Sequence, residues 1–164
     1  MSLEDFAARF RPGIRAKLDW NALAEACANV RVETFAGDEA KQRLAALFTV
    51  WYADSTGADS SWNAPDSLPL RVGAADRTLH SWPDSRSRTV TALTRAFSAS
   101  PEPVSLTVPA YRVGWGRHVL LDGNHRAVAA HQADVDVHLT VCSLVAPVCE
   151  SILPDLRHHV APSP

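Results

Sequence analysis

Val119-Leu120-Leu121-Asp122-Gly123-Asn124-His125-Arg126-Ala127-Val128-Ala129-Ala130 reads as an apolar strand, a sharp turn and the opening of an alanine-rich helix. A strand that ends in Asp-Gly and enters a helix at once leaves the first backbone N–H groups of that helix without partners. Those donors, together with the positive end of the helix dipole, form a ready site for an anion. Gly123 has no Cβ, so the chain can turn sharply there and its backbone can approach a ligand. Asn124, His125 and Arg126 add an amide, an imidazole and a guanidinium at the same helix mouth, and a guanidinium suits bidentate clasping of phosphate or carboxylate. The residues therefore predict a pocket for a small anion, with phosphate the first expectation. Asp122 has two roles open to it: capping the new helix through its carboxylate, or acting on a ligand by holding a metal or accepting a proton.

Outward from this turn, the spacing predicts alternating elements. Leu68–Val72 reads as a first strand, residues 87–97 as a helix, and Val104–Val108 with Tyr111–Val113 as a strand that pairs in a hairpin with residues 117–121 across the turn signal Gly114-Trp115-Gly116. Residues 135–141 alternate as a half-buried strand, and residues 146–156 read as a last short helix broken around Pro154. Upstream, residues 3–10, 15–29 and 38–52 have helical spacing. The last of these is the strongest, capped by Asp38 and presenting Leu44, Leu47, Phe48, Trp51 and Tyr52 on one face. Residues 53–67, rich in Ser, Asp, Gly and Pro, read as a loop whose Trp62 packs on the core or covers a ligand.

Composition sets the bounds. The chain has 164 residues, 46% of them hydrophobic and 21% charged, with a formal net charge of −2. That is enough for one domain with a real core, and the charge balance does not favour a protein whose main work is gripping a nucleic-acid duplex. No apolar run approaches the ~20 residues of a membrane span. The acidic start lacks the pattern of a secretion signal, and Cys27, Cys142 and Cys149 lack paired spacing, so reduced thiols in a cytoplasm are expected. The histidines lack the short paired spacings of structural zinc.

Strand, Asp-Gly-Asn-His-Arg, helix resembles the signature of the ParB/sulfiredoxin-like superfamily, over roughly residues 68–145. The resemblance implies a small mixed sheet with packed helices and a turn that holds nucleotide phosphates. Asn124 stands where sulfiredoxins have their reacting cysteine, so repair of oxidised peroxiredoxins is not implied. ParB proteins carry an arginine-rich turn and a downstream helix-turn-helix, and neither pattern occurs here. The form Asp-Gly-x-His-Arg is closest to that of the kinases acting on free serine. Those kinases use a glutamate in the irregular region beside the nucleotide; here no glutamate lies between Glu39 and Glu102, and Asp76 or Asp84 would take that place. Arg77, His80 and Arg86, in or beside the same segment, would bind a substrate carboxylate or phosphate.

The expectation is thus an α+β protein: a helical N-terminal extension over residues 1–55 and a ParB/sulfiredoxin-like domain over residues 68–157. Its expected role is a cytoplasmic small-molecule enzyme, most concretely a kinase transferring phosphoryl from ATP or another nucleotide with Mg²⁺ to a small metabolite. In this scheme Gly123, Asn124, His125 and Arg126 hold phosphates, His125 polarises the transferring group, and Asp122 binds magnesium or acts as base. Two alternatives stand beside it. One is an enzyme of the same fold acting on a carboxylate-bearing substrate without nucleotide, and the other is a non-catalytic nucleotide-responsive or DNA-associated regulator. Neither nucleic acid nor a membrane is the expected partner.

Overall fold

A computed structural model describes residues 1–15 and 17–160. In chain order its elements are α1 (Leu3–Phe10), α2 (Trp20–Glu25), β1 (Asn29–Phe35), α3 (Gly37–Ala46), β2 (Phe48–Ala53), β3 (Asp59–Ser60) and β4 (Leu68–Arg71). A 3-10 segment, Val72–Ser81, leads to α4 (Asp84–Ser98), β5 (Val104–Gly114), β6 (Arg117–Leu120), α5 (Asn124–Ala133) and β7 (Val137–Val145), and Pro154–His159 forms a final 3-10 turn. The strands make one mixed sheet in the order β1-β7-β5-β6-β2-β3, with β4 also paired to β2. Pairing is parallel between β5 and β7 and between β2 and β6, and antiparallel elsewhere. The α+β class and the mixed sheet agree with the sequence reading.

Alternation along the central strands sends side chains to both faces of the sheet, and both are covered. Leu106, Val108 and Leu120 pack with Leu44 of α3, Val90 of α4 and the alanines of α5. Tyr111, Val119 and Leu121 point the other way, against Phe6 of α1, Leu23 of α2 and the C-terminal Leu153 and Leu156. Cover on two faces shows in the second halves of β5 and β7, where Val108–Tyr111 and Val141–Leu144 are buried consecutively, whereas their first halves alternate. Among the described residues, no helix is long and apolar enough to cross a membrane.

The segment 1–55 holds three helices, and it also gives two strands to the sheet. The helix expected over 38–52 ends at Ala46: Leu47 is already extended, and Phe48-Thr49-Val50-Trp51-Tyr52 continues as β2. Buried β-branched and aromatic residues suit a strand covered on both faces, and over so short a run periodicity alone does not separate that from a helix face. Asp38 does not cap α3, whose N-cap is Ala36; it sits in the first turn with Glu39, where both carboxylates oppose the helix dipole. The helical run expected over 15–29 shrinks to α2, which Asp19 caps through bonds from the N–H groups of Asn21 and Ala22. β1 follows it as an edge strand, with Val32 left 45% exposed, so its alternation is weak in the sequence. At the C-terminus, Pro154 opens a 3-10 turn, and residues 146–153 are not helical. β5 runs unbroken through Pro109, whose carbonyl accepts from the Leu121 N–H at 2.9 Å.

Candidate functional site

β6 ends at Leu120, and the Asp122–Arg126 turn delivers the chain into α5 as the sequence implies. Gly123 is the helix N-cap, with φ +82° and ψ +14°, and no side chain caps the helix. The left-handed conformation asks for glycine. A Cβ there would also lie 3.3 Å from both the Arg126 guanidinium and Val108 Cγ1, tighter than an ordinary contact. The first-turn N–H groups of α5 therefore face outward without a capping side chain. Asp122 folds back on the turn: its Oδ1 accepts from the Gly123 N–H at 2.6 Å, and its Oδ2 lies 3.9 Å from Arg126 Nη2.

These residues form one wall of an open cleft of about 400 Å³. Thr89 and Leu93 of α4 line it from one side, and Gly13 and Arg15 line it from the N-terminal segment. Gly13 is a close approach, since a Cβ at that position would sit 2.7 Å from Asp122 Oδ2. Arg15 is held by Asp155, whose Oδ2 accepts from Arg15 Nη1 at 2.6 Å and from the Tyr52 hydroxyl at 2.7 Å. Asp155 is only 2% exposed. Burial and the neighbouring Asp155 carboxylate push the Tyr52 phenol far above its ordinary pKa, so it remains a donor.

His125 faces the cleft with Trp51 behind it, their rings meeting edge-on at 5.3 Å. Arg86 stacks on the same indole at 4.6 Å and is ion-paired with Asp59, so β2, β3, α4 and α5 meet around one aromatic–cation stack. Burial, helped by the Arg86 charge and opposed by Asp122, lowers the His125 pKa, which favours a neutral imidazole at pH 7.

The remaining candidates divide. Asn124, expected to bind phosphate, is 8% exposed, and its Oδ1 accepts from the Val50 N–H at 3.0 Å. β2 and β6 are paired in register only at Phe48 and Val119, and Asn124 takes over where the ladder stops. The Asn124 carbonyl is a bracket between α5 and β2, and it is what brings Trp51 against His125. Removing it in Asn124→Ala orphans a buried N–H and is expected to lower stability by about 1–3 kcal/mol, read as a shift in the urea midpoint at constant slope. Asp76 and Arg77 are exposed on the 3-10 segment and do not line the cleft. Asp84 is exposed in the first turn of α4, where it complements the helix dipole, and it too lies outside the lining. Arg86 is adjacent, but its guanidinium is committed to Asp59 and Trp51. Trp62 packs between Lys17 and Arg157, at 4.6 and 5.1 Å, and does not cover the cleft. Cys142 is buried, as expected of an inert thiol.

No protein-family model, curated protein or solved structure matches the chain. Among the described residues, no three His, Cys, Asp or Glu side chains come together as a metal-ligand set. Asp122 by itself suits magnesium in the form that ion usually takes with nucleotides, held by one or two carboxylates plus substrate phosphates.

Proposed function

We propose that this protein is a small-molecule enzyme that binds an anion, foremost the phosphates of a nucleotide, at the Asp122–Arg126 turn, and that it transfers phosphoryl to a small metabolite. The observation that carries the reading is the uncapped N-terminus of α5 opening, at a left-handed glycine, into a cleft where Asp122, His125 and Arg126 converge. The resemblance of this turn to that of the ParB/sulfiredoxin-like superfamily supports the nucleotide as the anion.

In phosphoryl transfer, the substrate hydroxyl oxygen forms the new bond to the γ-phosphorus, the bond to the nucleoside diphosphate oxygen breaks, and the hydroxyl proton leaves to a base. Arg126 and the first N–H groups of α5 hold the phosphate oxygens and oppose the charge that builds on them. His125, neutral and backed by Trp51, donates one hydrogen bond to the transferring group. Asp122 is the one carboxylate among the described residues lining the cleft. It either takes the hydroxyl proton or holds magnesium, whose contribution would be to neutralise charge on the phosphates. Asp76 and Asp84 have no part in this scheme.

Arg15 favours a second reading. A guanidinium fixed by a buried carboxylate in the same cleft is suited to a carboxylate-bearing substrate, with or without a nucleotide. Calorimetric titration of ATP, ADP and CTP, with and without Mg²⁺, into the wild type and Arg126→Ala tests the proposal. Saturable binding weakened about tenfold or more in the variant is expected for a lost charge-assisted contact. A folded wild type that binds none of the three sinks the nucleotide reading and leaves the carboxylate one.

A further inference from the structure

A second cluster of cations lies at the other end of β6, away from the cleft, and shares no residue with it. It is assembled from β1, α3, β5 and β6. Glu33 on β1 and His118 on β6 come within 3.9 Å, although β7 and β5 stand between them in the sheet. Their strands are three spacings of ~4.8 Å apart, about 14 Å between backbones, and the two side chains reach toward one another across that gap. The fold of the sheet makes a concave pocket of about 130 Å³, and Arg31 of β1, Arg112 of β5 and Arg43 of α3 line it together with Glu33 and His118.

Three guanidiniums from three separate elements face one carboxylate there. Among the described residues, Arg31 makes no ion pair or side-chain hydrogen bond. Arg112 uses only its Nε, toward the Gly114 carbonyl at 3.4 Å, and the one ion pair of Arg43 is with Glu39 at 3.8 Å on the surface of its own helix. Exposed pairs of that kind hold a side chain weakly. On a chain of net charge −2 this is a local excess of positive charge with its hydrogen-bond donors unspent. At the rim stands Trp115, 94% exposed in the two-residue turn between β5 and β6, followed by Gly116 with φ +64°. A large indole held out by a tight hairpin beside a basic pocket offers a stacking face.

We infer that this pocket is a second ligand site, which takes a small molecule in which a planar aromatic ring is joined to a phosphate or a carboxylate. The anionic group enters among Arg31, Arg43 and Arg112, and the ring stacks on Trp115. Neutral His118 on the pocket floor, its pKa lowered chiefly by burial, adds a hydrogen-bonding group rather than a further charge.

The test uses the Arg126→Ala protein, so that the cleft at α5 does not contribute, and repeats the titrations in wild type. Adenosine monophosphate, indole-3-acetate, adenosine and inorganic phosphate are titrated separately, and the indole N–H resonance of Trp115, assigned with Trp115→Phe, is followed by NMR. The expected result is that one of the two aromatic anions shifts that resonance saturably, in the same way in both backgrounds. Which one does so distinguishes a nucleotide from an aromatic carboxylate. Arg31→Ala and Trp115→Ala, both at exposed positions, are each expected to weaken binding about tenfold, the scale of one charge-assisted contact or one stacked ring. The inference is overturned if neither aromatic anion binds at millimolar concentration, if inorganic phosphate binds as well as either, if adenosine binds as well as adenosine monophosphate, or if both variants bind unchanged. Because the readout is at Trp115, failure here leaves the α5 cleft untouched, and failure of nucleotide binding at Arg126 leaves this pocket untouched.

Discussion

Asp155→Ala is expected to cost about 3–5 kcal/mol of folding stability, more than any other single substitution considered, because it removes one partner of a buried ion pair and leaves the other behind. The Asp155 Oδ2 atom accepts from both Arg15 and Tyr52, so its loss strands a partly buried guanidinium and a fully buried hydroxyl at once. Asp155→Asn keeps an acceptor at the same place and loses only the charge, so it should fall well short of the alanine variant. Tyr52→Phe removes one hydrogen bond and a matching donor, and should cost about 1 kcal/mol. Urea unfolding at constant slope measures all three. The order Ala, Asn, Phe in decreasing damage is the expected result; an Asn variant as stable as the wild type would mean that packing around the C-terminal turn, and not the charge, is what Asp155 supplies. A further consequence separates the site from the scaffold. Arg15 lines the cleft, so Asp155→Asn should weaken binding of a carboxylate-bearing ligand more than that of a bare nucleotide held at α5.

How much of this was legible in the sequence depends on how local each feature is. The strand–turn–helix at 119–130 is decided by neighbours in the chain: apolar residues, then Asp-Gly, then alanines. It stands in the structure as read, with the left-handed Gly123 making the sharp turn. The β5–β6 hairpin was equally local. β2 was not: Phe48 to Tyr52 continues a helical face in spacing, and only the pairing with β4 and β6, made far along the chain, decides for a strand. The site divides in the same way. Asp122, His125 and Arg126 could be named from one motif. Gly13 and Arg15 reach the cleft from the N-terminal segment, and Arg15 is anchored by a residue 140 positions away, which no local pattern announces. The bracketing role of the Asn124 side chain had no signal in the sequence, because its partner is the backbone of a strand that the spacing predicts as a helix. The arginine pocket is the extreme case, since Arg31, Arg43 and Arg112 come from β1, α3 and β5 and meet only in the folded chain.

His125→Ala and Arg126→Ala should then fail in different ways, and the contrast tests the division of labour in the cleft. Arg126 is nearly half exposed and 3.9 Å from Asp122, free to swing to a ligand, so its loss should appear mainly as weaker binding. His125 is fixed by Trp51 and kept neutral by burial and Arg86, an arrangement suited to donating one hydrogen bond to a group that gains charge in the transition state. Its removal should lower kcat by about 10²–10⁴ while the nucleotide Kd changes little. The lost ring contact with Trp51 should cost about 1 kcal/mol of stability, too little to unfold a domain whose core lies elsewhere. Steady-state kinetics with an acceptor found by screening hydroxyl-bearing metabolites, alongside nucleotide titration of each variant, reads both parameters. If His125→Ala loses affinity and keeps its turnover, the imidazole is a phosphate ligand and no more. Among the described residues, Asp122 would then be the one side chain lining the cleft with proton chemistry to offer, and Asp122→Asn the variant that decides whether the cleft is catalytic at all.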